Sequence, residues 1–125
     1  MKKIFVILSL FLYSVPVCAK HLYSEKEYQT YWCNKEGGQT EYILDDKARV
    51  DCLLHDYAVE FDFAPKWAEC IGQALYYGKK TYRIPTCVLI MENDQNDLRY
   101  LNRLKYATQN QKFCIYTIQP DVFKK

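Results

Sequence analysis

Hydrophobic positions along the chain recur with two different periods, and these periods predict eight secondary-structure elements. Spacings of three to four residues indicate helices, whereas alternation or short apolar runs indicate strands. The resulting order, α-β-β-β-α-β-α-β, predicts an α/β fold in which helices flank a mixed central sheet. The predicted elements cover residues 23–33, 40–44, 49–54, 57–64, 66–77, 86–91, 97–106 and 113–118.

Local signals set the ends of these helices. Ser24 followed by Glu27 predicts a capping box for the first helix, and Gly37 with Gly38 ends it. Gly78 is predicted to end the second helix as a C-cap. In the third helix the leucines are expected to face inward and the basic residues outward. These are Leu98, Leu101 and Leu104, and Arg99, Arg103 and Lys105.

The first nineteen residues have the pattern of a secretory signal peptide. Lys2 and Lys3 precede an apolar run that is too short to span a bilayer. Val17 and Ala19 suit a cleavage site, which predicts a single mature domain, residues 20–125, in the periplasm or secreted. Stable membrane association is not expected after cleavage, although Cys18 leaves lipidation open.

The composition describes a globular domain, because half of the residues are hydrophobic and about a quarter are charged. A disordered tail, a collagen-like fibre and a coiled coil are therefore excluded. Residues 20–62 hold 10 acidic and 5 basic residues, whereas residues 63–125 hold 5 acidic and 10 basic residues. This division fits a cation site beside an anion-binding surface, or two differently solvated faces.

The strongest chemical signal is an acidic hairpin. If His55 and Asp56 form its tip, Asp51 lies opposite Glu60, and alternation places both carboxylates and Asp62 on one face. The opposite face would be apolar. It would comprise Val50, Cys52, Leu54, Tyr57, Val59, Phe61 and Phe63.

Three carboxylates on neighbouring strands repel one another unless a cation compensates them. Hard oxygen ligands suit Mg²⁺ or Mn²⁺, so Asp51, Glu60 and Asp62 are candidate metal ligands. The alternative is a solvated face that Arg49 partly neutralises. Lys66, in the first turn of the second helix, could reach back toward these acids or form an ordinary surface ion pair.

Together these residues resemble the PD-(D/E)XK nuclease superfamily, which carries an Asp on one strand and a (D/E)-x-K on the next. Asp51 matches the first acid and Glu60 the second, and the resemblance covers most of residues 24–91. It implies a restriction-endonuclease-like core. Gln73 and Tyr77 match the pair on the family's following helix, and Glu27, or less well Glu25, matches the Glu of its first helix.

The sequence departs from the family at the lysine, because Asp62 stands in its place. Lys66 fits a lysine that has moved to the following helix. The resemblance implies phosphodiester hydrolysis that depends on Mg²⁺ or Mn²⁺ and acts on nucleic acid, DNA rather than RNA, with little sequence specificity. Two alternatives stay open: an inactive nuclease-fold module that binds nucleic acid or a protein partner, and a structural envelope protein.

The resemblance also implies roles for basic and amide side chains. Lys66 would stabilise developing charge or position the attacking water, and Gln73 would orient Lys66 or the phosphate. Lys79, Lys80 and Arg83 could contact flanking phosphates, or form an ordinary solvated turn.

The mature chain has five cysteines, an odd number that leaves at least one free thiol or an intermolecular bridge. Cys70, Cys87 and Cys114 lie in apolar segments and are predicted to be buried free thiols. Cys33 and Cys52 are therefore the predicted disulfide, which closes a loop of roughly 20 residues and adds about 3 kcal/mol.

Overall fold

The computed structural model describes residues 20–125, so the predicted signal peptide lies outside the described residues. Within that range no helix is both long enough and apolar enough to cross a bilayer. The predicted order of elements is confirmed. They are α1 (Glu25–Glu36), β1 (Gln39–Ile43), β2 (Arg49–Leu53), β3 (Tyr57–Phe63), α2 (Trp67–Thr81), β4 (Ile84–Ile90), α3 (Asp94–Ala107) and β5 (Cys114–Ile118), with 3₁₀ turns at Ala64–Lys66 and Pro120–Phe123.

The five strands form one open mixed sheet in the order β1-β2-β3-β4-β5. The first three pair antiparallel through short connections, whereas β3, β4 and β5 are parallel and are joined by α2 and α3. Helical crossovers are what parallel neighbours require. The chain therefore has the α/β architecture with a mixed sheet that its sequence predicts.

Helices cover both faces of this sheet. On one face α1 packs Tyr28 and Cys33 against apolar residues of the three central strands and β5. On the other face α2 and α3 pack against β4, with Ala74 and Leu104 fully buried. Central strands covered on both faces read as nearly continuous apolar runs. The acids of β3 therefore interrupt a segment that is otherwise part of the core.

The ends of the helices agree with the sequence in one case and differ in another. The Ser24–Glu27 capping box is present, and Gly37 ends α1 in the left-handed conformation at φ 74°. The prediction that Gly78 ends α2 is wrong, because the helix continues to Thr81 and Tyr82 takes the left-handed cap position. A Cβ at Gly78 would lie 2.9 Å from the Arg83 carbonyl oxygen, so this glycine allows close backbone approach.

The inward face of α3 differs by one position from the prediction. Leu101 and Leu104 are buried, but Leu98 is half-exposed. The buried stripe begins instead at Asp97, whose carboxylate accepts a hydrogen bond from the Asn93 backbone N–H at 3.0 Å. That bond satisfies a backbone group at the helix start, which compensates for burying an acid there.

Two disulfides are present, and they brace opposite faces of the sheet. The predicted Cys33–Cys52 bridge is confirmed and ties α1 to β2. The prediction of free thiols at Cys70 and Cys87 is wrong, because these residues form a second bridge between α2 and β4, with Cα atoms 6.0 Å apart. Cys114 is free, as predicted, but it is only partly buried. Two disulfides are typical of proteins from oxidising compartments.

Candidate functional site

The hairpin of β2 and β3 is paired only near its tip. Cys52 lies opposite Val59 and Leu53 opposite Ala58, which is the register predicted from a tip at His55 and Asp56. Pairing between the strands stops there, although both continue. Asp51 and Glu60 are the first residues beyond the last pair. The two strands thus form a fork, and the acids lie where it divides.

A backbone distortion in β1 and β2 accompanies the fork. Glu41 has φ 55°, in the left-handed region, and it lies between the pairs Thr40–Cys52 and Tyr42–Val50. Val50 packs against Ala58 and Tyr77 on the α2 side, whereas Cys52 packs on the α1 side. The predicted placement of Val50 on the same face as Cys52 is therefore wrong, because alternation breaks at Asp51.

Hydrogen bonds hold Asp51 in this distorted segment. Its carboxylate Oδ2 accepts the backbone N–H of Phe61 at 2.8 Å, where a regular ladder would offer a carbonyl. The buried side chain of Gln29 in α1 donates to the Asp51 carbonyl at 2.8 Å and to the Glu41 carboxylate at 3.1 Å. Strand β3 is thus joined to the carboxylate of Asp51, and α1 to its backbone.

Glu60 and Asp62 are buried acids without enough partners. Each residue is only 5% exposed. Within residues 20–125, Glu60 Oε2 and Asp62 Oδ2 are buried and accept no hydrogen bond. Burying an unpaired carboxylate is costly, and native structures normally avoid it by protonation, pairing or a bound cation. As they stand, these two buried oxygens without hydrogen-bond partners destabilise the fold.

The electrostatics of the three acids favour proton binding. Burial raises the pKa of Glu60, and the charges of Asp51 and Asp62 raise it further. Burial also raises the pKa of Asp51, although its hydrogen bond from Phe61 acts in the opposite direction. The pKa of Asp62 rises to about 7, mainly because of burial and then because of the neighbouring charge of Glu25. The cluster is thus partly protonated near neutral pH.

The donor set fits a hard divalent ion. All the ligands at the fork are carboxylate oxygens, which suit Mg²⁺ or Mn²⁺. Among residues 20–125 no three His, Cys, Asp or Glu side chains form a group that could hold a metal ion as they stand. Mg²⁺ is commonly bound through one or two carboxylates, with water and substrate phosphate completing its shell. One or two of the carboxylates of Asp51, Glu60 and Asp62 would supply that smaller set.

Two further charged groups lie at the fork. The positive charge of Lys66 lowers the pKa values of Glu25 and Asp62, so this lysine lies near both. Lys66 itself is exposed at the start of α2 and makes no direct ion pair with a described carboxylate. Glu25, half-buried, also raises the pKa of Asp51 and Asp62.

Glu25 lies near Asp51 and Asp62, whereas Glu27 belongs to the capping box of α1. The Glu27 carboxylate accepts the Ser24 backbone N–H at 2.7 Å, so it is part of the helix cap. Hydrogen bonds from Ser24 lower the pKa of Glu27, and the side chain is fully exposed. The sequence preferred Glu27 to Glu25 at the site, whereas in the structure the capping box uses the Glu27 carboxylate and the charge of Glu25 acts on the acids of the fork.

Tyr77 and Gln73 lie one turn apart on α2. Tyr77 is buried, and its pKa rises to about 12, mainly because of burial and then because of the charges of Glu60 and Asp51. It therefore lies close to the fork, on the side covered by α2. Gln73 is partly buried on the same helical face, one turn nearer to Lys66.

The predicted phosphate-binding trio lies at the other end of α2. Lys80 forms an ion pair with Asp45 at 2.6 Å, and Arg83 donates to the carbonyl oxygens of His55 and Thr81. These contacts hold the end of the helix to two turns. Along the helix axis Lys80 is about 20 Å from Lys66, so it lies far from that lysine, although it is only one turn beyond Tyr77. Lys79 is exposed.

Sequence reasoning missed Gln29 entirely. A buried glutamine has one signal in the sequence: it precedes Cys33 by four residues and so shares the inward face of α1. It missed Glu92 as well, whose carboxylate accepts the backbone N–H groups of Leu22 and Tyr23 and the Tyr28 hydroxyl. Glu92 fastens the segment before α1 to the end of β4.

Comparison of the chain with protein-family models, with curated proteins and with solved structures gives no match.

Proposed function

We propose that the chain is a divalent-metal-dependent nuclease with a restriction-endonuclease-like core, which hydrolyses phosphodiester bonds at the β2–β3 fork. The observation that carries this proposal is the pair of buried carboxylate oxygens, Glu60 Oε2 and Asp62 Oδ2, that accept no hydrogen bond within residues 20–125. A bound cation removes the cost of these groups. A purely structural core position would have no reason to keep two such acids together.

The arrangement of elements supports the same proposal. The resembling family carries its two acids on neighbouring strands that are followed by a helix, within an α-β-β-β-α-β order. Asp51 and Glu60 lie on the neighbouring strands β2 and β3, and α2 follows. The first helix contributes an acid near the site, Glu25.

The residues divide the work as follows. Asp51, Glu60 and Asp62 would hold the ion, which polarises the scissile phosphate and acidifies water when bound. Lys66 lies near Asp62 without a direct ion pair, so its ammonium group is available to stabilise charge that develops on the phosphate. Glu25 and Asp62 lie close enough for their charges to interact with that ammonium group.

The second candidate function is an inactive module that binds nucleic acid or a protein partner through the same fold. One observation favours it. Asp62 occupies the position at which the resembling family has its lysine, and Lys66 lies on a different element, exposed at the start of α2. If Lys66 replaces the family lysine, the chain is a nuclease; if it does not, the inactive binding module is favoured.

The deciding experiment is a cleavage assay with residues 20–125, prepared under oxidising conditions so that both disulfides form. Supercoiled plasmid and labelled single-stranded DNA are incubated with Mg²⁺, Mn²⁺ or EDTA. Activity in both metals that EDTA and Glu60→Gln abolish supports the nuclease. Glu36→Gln is the matched control, since it removes an exposed carboxylate at the end of α1. Activity that survives Glu60→Gln contradicts the proposal.

A further inference from the structure

The exposed face of α3 carries a preformed pair of arginines. Arg99 and Arg103 lie one turn apart, and both guanidinium groups pack on the ring of Tyr100, with Cζ atoms 4.6 and 5.7 Å from its centroid. The guanidinium of Arg99 also donates to the Tyr100 hydroxyl at 2.8 Å. The ring restricts both long side chains and so lowers the entropy lost when they bind a ligand.

These arginines have no carboxylate partner. Within residues 20–125 neither forms an ion pair, and the sequence has no acidic residue from Leu98 to Pro120. Four bases, Arg99, Arg103, Lys105 and Lys112, fall in that stretch. We call the exposed surface formed by Arg99, Asn102, Arg103 and Tyr106 the arginine face; its members are spaced to lie on one side of the helix.

The helix that carries the arginine face packs against the turn that leads from β3 into α2. Helix α3 packs against the 3₁₀ turn Ala64–Lys66, and Tyr100 belongs to the same hydrophobic cluster as Ala64 and Trp67. These two residues flank the segment that carries Lys66. The chain runs from β4 into α3 at this same edge, so Arg99 and Arg103 lie about 7 and 13 Å along the helix from it.

We propose that the arginine face binds the phosphate backbone of a nucleic acid strand whose scissile bond lies at the fork. Charge complementarity supports this occupant, because a guanidinium presents paired donors that match phosphate oxygens and stays charged at every physiological pH. These exposed arginines, one turn apart and in no ion pair within residues 20–125, form a positive strip. This inference rests on the proposed function and replaces the end of α2 as the docking surface.

The distance implies a minimum length of strand. The start of α2 separates the fork from α3, and packed helices lie about 8–10 Å apart. A strand that contacts both the acids and the arginine face therefore spans about 10–20 Å, or roughly 3–6 nucleotides at about 3.4 Å each. Oligonucleotides shorter than this reach the fork without the arginines.

Binding measured without metal tests the surface separately from catalysis. Fluorescence anisotropy with a labelled 24-nucleotide single-stranded DNA in EDTA gives the affinity at several salt concentrations. Arg99→Gln/Arg103→Gln should weaken binding roughly 5- to 10-fold and reduce the slope of log K against log salt by about 1.4. Lys35→Gln/Lys47→Gln is the control. It removes the same number of positive charges from exposed residues outside α3, and it should leave the affinity and the salt slope unchanged.

The outcomes separate the two proposals. If wild-type protein cleaves DNA but the arginine variant binds like wild type, the docking surface is wrong and the nuclease stands. If Lys79→Gln/Lys80→Gln weakens binding and the arginine variant does not, the end of α2 is the surface and the inference is overturned. If the arginine variant binds weakly and no metal supports cleavage, the surface stands without the enzyme. Absence of wild-type binding overturns the inference.

Discussion

The carboxylate of Asp51 accepts the backbone N–H of Phe61 at 2.8 Å. This bond joins the two strands just beyond the point where their regular pairing stops, so one side chain serves as both a strand partner and a member of the acidic cluster. A backbone N–H left without an acceptor in this buried region costs about 1–3 kcal/mol.

Asp51→Ala should therefore destabilise the protein by about 1–3 kcal/mol at pH 5, since Phe61 loses its acceptor. Asp51→Asn keeps a carbonyl oxygen in place and should cost less than half as much. Urea unfolding measures both. Equal losses in the two variants would mean that the hydrogen bond contributes nothing to stability.

Stability without divalent metal should fall as the pH rises from 5 to 8. The pKa of Asp62 is about 7 in the folded protein against an ordinary 3.8, and those of Asp51 and Glu60 are also raised. Over this range the folded state keeps protons that the unfolded state has released, so each group removes up to about 1.4 kcal/mol per pH unit. This loss of stability is absent below the pKa of the group in the unfolded state, and it is complete above the pKa of the group in the folded state.

Asp62→Asn isolates the contribution of this single carboxylate. The variant cannot ionise at this position, so it should be more stable than wild type by about 1–3 kcal/mol at pH 8 and nearly equal at pH 4. Thermal unfolding at both pH values gives the comparison. A wild-type and variant difference that does not change with pH would contradict the raised pKa.

Mn²⁺ should raise the melting temperature at pH 8 more than at pH 5.5, because the ion and protons compete for the same carboxylates. Glu60→Ala should abolish the shift. Glu36→Ala, an exposed acid on α1, should retain it. A full shift in the Glu60 variant would place the ion elsewhere.

Lys66→Ala should lower turnover by 10-fold or more, on the order of what one charge-stabilising group contributes, while the protein still folds and still binds Mn²⁺. Single-turnover cleavage under saturating Mn²⁺ measures the chemical step. Lys79→Ala, an exposed lysine at the far end of α2, should behave like wild type. A wild-type rate in the Lys66 variant would favour the inactive binding module.

Gly38→Ala should destabilise the protein by about 1–3 kcal/mol, because added volume at a packed site forces neighbours to move. Its Cβ would lie 2.6 Å from the Cys52 sulfur and 2.8 Å from the Cys33 sulfur. Gly72→Ala is the matched comparison, since nothing lies within 4 Å of its Cβ, and in a helix it should add about 0.5–1 kcal/mol. Denaturant unfolding of both variants checks that the free energy of unfolding falls in Gly38→Ala and rises in Gly72→Ala.

The parts of the fold that follow from local periodicity were predictable. The hairpin register follows from the tip at His55 and Asp56, and the Cys33–Cys52 bridge from the expected packing of a helix on the hairpin. The Cys70–Cys87 bridge was not predictable, because it depends on which part of α2 the crossover places over β4. In the sequence, a cysteine on the apolar face of a helix and a cysteine in an apolar strand look the same whether their thiols are free or joined.

The site was predictable as a set of strand acids but not in its details. Alternation assigned Val50 to the wrong face, because the left-handed conformation at Glu41 leaves no periodic signal. Glu25 and Glu27 both lie in the first turn of α1, so the sequence pattern does not show which of them reaches the fork. The role of Gln29 was not predictable, because it depends on contacts of α1 with β1 and β2 that the sequence does not show.

The two disulfides divide the molecule mechanically. One joins α1 to β2 and the other joins α2 to β4, so among residues 20–125 no disulfide spans the boundary between β2 and β3. Apart from the chain at the hairpin tip, this boundary is held by packing, by the two backbone pairs near the tip and by the Asp51–Phe61 hydrogen bond. The fork can therefore widen while both bridges stay intact, and only these noncovalent contacts resist a strand that enters between β2 and β3.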